Sequence, residues 1–266
     1  MKRIGLILLI IGGFALIQIC IFIFYISLGT ETALFLLIES LTTVFLTFTH
    51  LALALLIILE RHNLSEFNID KFTIYIFIFA SFFRVRSGVA GENISLVLIA
   101  IAGLAVTASI FGHKVATQNA NFQWAIKGIG AGLLIAALTI FINLIHSPSQ
   151  FNVMILQNSF VFTGIKTMFY VFPNVISEEI IFRGFLWGYL RKAGWDNSKI
   201  AWLQGALFWA IHFSRAIVTP ITFFVIIPLL TFVLTKLLLK SQQTFPSILS
   251  HAVVNIMSKL FYLALI

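Results

Sequence analysis

Charge is what this sequence has least of. Only 10% of its 266 residues are Asp, Glu, Lys or Arg, whereas soluble domains carry about 25%, so too few polar groups exist to cover a water-facing surface. Disorder is excluded for the same reason: a disordered chain is poor in apolar residues, and this one is 60% hydrophobic with 29 Phe. Cysteine is almost absent. Cys20, the only one, sits inside an apolar run, so the chain can form no internal disulfide and no metal–thiolate site. Acids are scarce as well: there are nine against 17 Lys and Arg. A net charge of +8 could suggest nucleic acid, but the cations stand mostly in pairs between apolar runs, as cytoplasmic loops beside anionic lipid require. The pattern therefore argues against nucleic-acid binding and for membrane lipid as solvent. Mean hydropathy is +1.06.

At about 20 apolar residues per crossing, the length supplies roughly eight or nine transmembrane helices, an all-α polytopic membrane fold. Residues 4–28, 33–59, 94–112, 128–145 and 216–239 read directly as spans. Residues 72–83 are short and end at Arg84 and Arg86, which fits a snorkelling helix or a partial insertion. Residues 160–190 exceed one crossing and contain Pro173, which predicts a kink. Residues 200–213, extendable to 218 past Arg215, and residues 246–266 complete the set.

Lys2 and Arg3 before residues 4–28 resemble a signal peptide, but the apolar stretch is too long and lacks a small-x-small cleavage site, so it is read as an uncleaved first helix. With that end in the cytoplasm, nine alternating spans put Arg61, Lys71, Lys114, Lys127, Arg191, Lys192, Lys199, Lys236 and Lys240 on one side and only Arg84, Arg86 and Arg215 on the other. Gly128-x-x-x-Gly132 and Gly184-x-x-x-Gly188 have spacing that permits close helix approach. No internal repeat or soluble domain is visible.

Beyond Glu92 the chain holds only three acids, Glu178, Glu179 and Asp196. Two are adjacent and lie within an apolar run, where a carboxylate costs about 2.5–3.5 kcal/mol even on the lenient insertion scale. A purely structural ion pair with Arg183 is one explanation. Helix geometry divides the two acids, however. Neighbours on a helix point about 100° apart while residues four apart stack, so Arg183 can neutralise Glu179 within its own helix and Glu178 faces elsewhere, as the candidate base.

Two further helices repeat the one-turn spacing. His212 follows Phe208, and His251 precedes Asn255. A lone His in a helix usually serves packing, and His50, His62, His113 and His146 are read that way. His212, His251 and Asn255 differ because they lie downstream of Glu178 on separate helices that one bundle can bring to a common cavity.

Glu178-Glu179-x-x-x-Arg183, Phe208-x-x-x-His212 and His251-x-x-x-Asn255, in this order, resemble the three motifs of the CAAX protease and bacteriocin-processing (Abi) family. That family includes the type II CAAX prenyl endopeptidases and the lysostaphin-resistance-type proteins. The run Ser177-Glu178-Glu179-Ile180-Ile181-Phe182-Arg183-Gly184 is similar to its first motif. The likeness covers residues 160–266, the expected catalytic core; residues 1–159 share only hydrophobicity with the family and form an expected N-terminal helical region.

The resemblance implies a glutamate-dependent intramembrane peptidase. Glu178 would act as general base on a water that His212 also holds, Arg183 would support Glu179, and His251 and Asn255 would stabilise the oxyanion. Phe208 is a supporting residue. No metal and no other cofactor is expected, and the substrate would be a membrane-associated peptide or protein, lipid-modified or not. His-Glu-x-x-His, Gly-x-Ser and Gly-x-Gly-Asp motifs are missing, which disfavours the commoner protease chemistries. Alternatives are a zinc site of His212, His251 and Glu178, a non-catalytic scaffold or immunity protein, and, less favoured, a transporter. Compact size points to a bacterial cytoplasmic membrane.

Overall fold

The computed structural model describes residues 2–28, 52, 55–56, 59–60, 119–146, 167–168, 171–172, 174–213 and 219–265. Six helices account for most of these, and no strand occurs among the described residues. They are α1 (Lys2–Leu28), α2 (Asn119–His146), α3 (174–192), α4 (Asn197–Ala210), α5 (220–241) and α6 (Phe245–Leu265). The spans expected at 72–83 and 94–112, most of 33–59, the Pro173 kink, and Arg84, Arg86 and Arg215 lie outside the described residues. Two described helices, Phe122–Ile145 and Thr222–Ser241, are long and apolar enough to cross a membrane.

Local chemistry explains where the helices start and stop. Gly194 takes a positive φ of 87°, a conformation glycine adopts without a Cβ penalty. This lets the Trp195 N–H reach back to Leu190 O at 3.1 Å and the Gly194 N–H to Arg191 O at 2.9 Å, satisfying the last carbonyls of α3. Arg191 and Lys192 stand in that final turn, where cations complement the helix dipole. Asp196 then caps α4, accepting from the Lys199 N–H at 2.9 Å. That hydrogen bond, with the Lys199 ammonium 3.1 Å away, holds the exposed Asp196 carboxyl below its usual range.

Helix α3 is not α-helical throughout. Residues Ile180–Leu186 wind as a π-helix, the wider i→i+5 coil that recurs at functional sites. A second π segment, Thr222–Ile226, opens α5, and the Trp209 indole N–H donates to the Phe223 carbonyl there at 2.9 Å.

The main core gathers Val175, Ile180, Phe182, Phe185 and Trp187 of α3, Phe208 of α4, Phe223 of α5, Ala252 and Ile256 of α6, and Ile11 of α1. A second cluster joins Ile135 of α2 to Leu230 and Leu234 of α5 and Val254 of α6. Helix α2 lies against α6, with Gly128 facing Pro246 and Gly132 facing Ser250. Both numbers rise together, so the two helices run parallel. The opposite side of α2 is apolar and uncovered by described residues: Phe122, Leu134 and Phe141 are 67%, 74% and 60% exposed. Together with its length and composition, such a face suits lipid.

Candidate active site

The site forms where α3, α4 and α6 meet. Adjacent acids on α3 have different surroundings: the Glu179 side chain is fully buried, whereas that of Glu178 keeps 14% of its surface. Arg183 Nη1 donates to Glu179 Oε1 at 3.0 Å, both side chains being completely enclosed. This is the pairing expected from spacing, and it runs along the π-wound part of the helix.

A partner not legible from spacing completes it. His251 Nδ1 lies 2.8 Å from the same Oε1. Because an ionised carboxylate can only accept, the hydrogen bond requires the proton on Nδ1. One oxygen of Glu179 thus receives a guanidinium from its own helix and an imidazole from another, His251 being 72 residues away in sequence. It locks α6 to α3.

His212 is fixed in the same manner by a backbone group. Its Nδ1 is 2.7 Å from the Phe208 carbonyl oxygen. A carbonyl also accepts only, so Nδ1 carries the proton and, in the neutral ring, Nε2 is left with a lone pair. The two Nε2 atoms turn to one point: His251 Nε2 is 3.8 Å and His212 Nε2 is 4.0 Å from Glu178 Oε2. His212 is 23% exposed and His251 only 3%, so the constellation opens on the Glu178–His212 side and is closed behind His251.

Phe208, 1% exposed, is the surface on which these groups rest. The Arg183 guanidinium carbon sits 4.2 Å from its ring centroid, and the His212 and His251 rings lie 4.7 and 5.8 Å away. Phe182 meets it edge-on at 5.3 Å. A desolvated cation over an aromatic face contributes about 2 kcal/mol, which helps Arg183 tolerate its burial.

Over residues 160–257 the chain matches the family described as type II CAAX prenyl endopeptidase Rce1-like. Among curated proteins and among solved structures, nothing matches. The Rce1-like match covers all three motifs, and it agrees with the resemblance read from them. It supports a peptidase activity of the CAAX type.

Within the Rce1-like segment, Glu178, Glu179, Arg183, Phe208, His212 and His251 are brought together. Asn255 is placed one turn beyond His251 on α6, half-buried, and its side chain makes no hydrogen bond to the described residues. The role of His251 as partner of Glu179 is the feature sequence reasoning missed. Only docking of α6 on α3 creates it, and no local pattern encodes that docking.

Proposed function

We propose that this protein is an intramembrane endopeptidase that hydrolyses a peptide bond of a membrane-associated peptide or protein with a water activated by Glu178. The observation that carries the reading is the convergence of His212 Nε2 and His251 Nε2 on Glu178 Oε2. Two acceptors 4.0 Å apart can share one water at about 2.8 Å from each, and that water then sees an angle of roughly 90°, close to its own geometry. Glu178 takes one proton from the water as its oxygen attacks the scissile carbonyl carbon, and later delivers a proton to the leaving amine. His212, its tautomer set by the Phe208 carbonyl, orients the water.

His251 and Asn255 are the proposed oxyanion partners, with one refinement from the hydrogen bonding. Since Nδ1–H is given to Glu179, Nε2 of His251 can donate only when the ring carries both protons.

A zinc mechanism is less well supported. Ligands 2.0–2.2 Å from a tetrahedral zinc lie about 3.3–3.6 Å apart, closer than the 3.8 and 4.0 Å separations here, and no group of three His, Cys, Asp or Glu among the described residues is disposed to hold a metal.

The wider reading is a multi-pass protein of eight or nine helices in a bacterial cytoplasmic membrane with its N-terminus in the cytoplasm. The parallel course of α2 and α6 supports this polarity. It sets Lys127, near the start of α2, at the same end of the bundle as Lys240, near the end of α5, in keeping with the positive-inside bias. A peptide library including lipid-modified C-termini, presented in detergent to wild type and Glu178→Gln, tests the proposal. Cleavage is expected from the wild type and none from the variant, with thermal stability close to wild type. Full turnover by Glu178→Gln would remove the general-base assignment.

A further inference from the structure

Residues 1–159 lie outside the matched segment, yet α2 packs against the helix that bears His251. A Cβ added to Gly128 would stand 2.5 Å from the Pro246 carbonyl oxygen, and one added to Gly132 would stand 2.6 Å from Ser250 O and 2.9 Å from Val253 Cβ. In both cases the first obstacle is backbone, which cannot rotate aside. Gly130, between them, has nothing within 4 Å of its added Cβ. Only the two glycines facing α6 are constrained.

The contact lies behind the site. At about 100° per residue, Pro246, Ser250 and Val253 share one face of α6, while His251 and Asn255 share another roughly 150° away. Helix α6 is therefore held between α2 on one side and Glu179 and Glu178 on the other. Ser250, which touches Gly132, is the immediate neighbour of His251. If α6 moved away from α2, the His251 ring would move toward the two carboxylates and narrow the 3.8 Å separation from Glu178.

We propose that Gly128 and Gly132 are positioning residues, through which α2 sets the depth of His251 relative to Glu178 and Glu179. The proposal rests on the reading of Glu178 and His251 given above. The two glycines act as a packing contact. Their function is to have no side chain, so that the backbone of α2 supports α6 at one separation.

The test adds the same methyl group at three places on α2. Turnover per folded molecule and the ¹⁵N NMR signals of the His251 ring in histidine-labelled protein are measured for Gly128→Ala, Gly130→Ala and Gly132→Ala. Gly132→Ala is expected to lower kcat by about 10²-fold with KM little changed, since an error of about 1 Å in a catalytic group costs that much, and to shift the His251 signals. Gly128→Ala, one turn farther from His251, is expected to do less, and Gly130→Ala to match wild type in both. If Gly132→Ala does not fold, Val253→Ala removes side-chain bulk from the same contact without a clash and should lower kcat several-fold while moving the same signals.

Wild-type turnover and wild-type His251 signals in whichever of these two variants folds would overturn the proposal. The NMR comparison also separates it from the catalytic reading. If Glu178→Gln were fully active the general-base role would fail, and the position of His251 in Gly132→Ala against Gly130→Ala would still be read directly.

Discussion

Toward α3, helix α6 presents His251, whose ring donates to an enclosed carboxylate at 2.8 Å; toward α2 it presents backbone at Pro246 and Ser250, met by two glycines. The first side holds by charge and directed hydrogen bonds. The second holds by shape, where the absence of atoms lets two helices approach. The comparison teaches that a group can be placed accurately in a membrane bundle by one specific bond in front and one hard stop behind. Neither alone defines the distance to Glu178.

The front can be broken most severely at Arg183. Arg183→Ala leaves Glu179 buried with one cation fewer, and unfolding in detergent is expected to become easier by about 3–5 kcal/mol, the usual cost of removing one partner of a buried pair. Adding Glu179→Gln to that variant should recover part of the loss, since the uncompensated charge goes with it. A denaturation series on wild type, single and double variants measures both, and a stability loss under 1 kcal/mol for Arg183→Ala would show the pair to be wetter than its complete burial implies.

A smaller effect is expected one turn beyond His251. Asn255→Ala should lower kcat and kcat/KM together by roughly 10²–10³ if its amide donates to the developing oxyanion, and Asn255→Asp should be at least as inactive because a carboxylate repels that charge. Steady-state kinetics on one peptide, with folding checked by melting, distinguish this from a groove-lining role, which would raise KM at constant kcat.

The least effect is expected from metal removal. Incubation with a strong chelator should leave turnover unchanged and elemental analysis should find no stoichiometric zinc. One zinc per chain, lost together with activity, would replace Glu178 as base by Glu178 as ligand.

How much of this was legible beforehand depends on the range of the interaction. Glu179 with Arg183 and His212 with Phe208 lie four residues apart on one helix, and the four-residue period announces both. The all-helical fold and the segment carrying the motifs follow in the same way from hydropathy and spacing. The His251–Glu179 bond could not be read, because its partners are 72 residues apart and meet only when α6 docks. The π winding of Ile180–Leu186 was invisible too: spacing arguments assumed an α-helix, and the pairing of residues four apart survives in the wider coil. Gly128-x-x-x-Gly132 signalled close approach without naming the partner. The helix it meets, α6, lies more than a hundred residues downstream.

That last contact bears on modularity. The family match begins at residue 160, which invites the view that the matched segment is portable, a cassette that could be cut out and fused to other membrane anchors. Helix α2 lies upstream of that boundary and yet bears directly on α6. A transplanted segment beginning at residue 160 would lose the backbone that Gly128 and Gly132 bring against Pro246 and Ser250, and lipid chains, being soft, are a poor substitute for a hard stop. The unit defined by sequence similarity and the unit defined by packing have different borders, so exchange between relatives should carry α2 and α6 together.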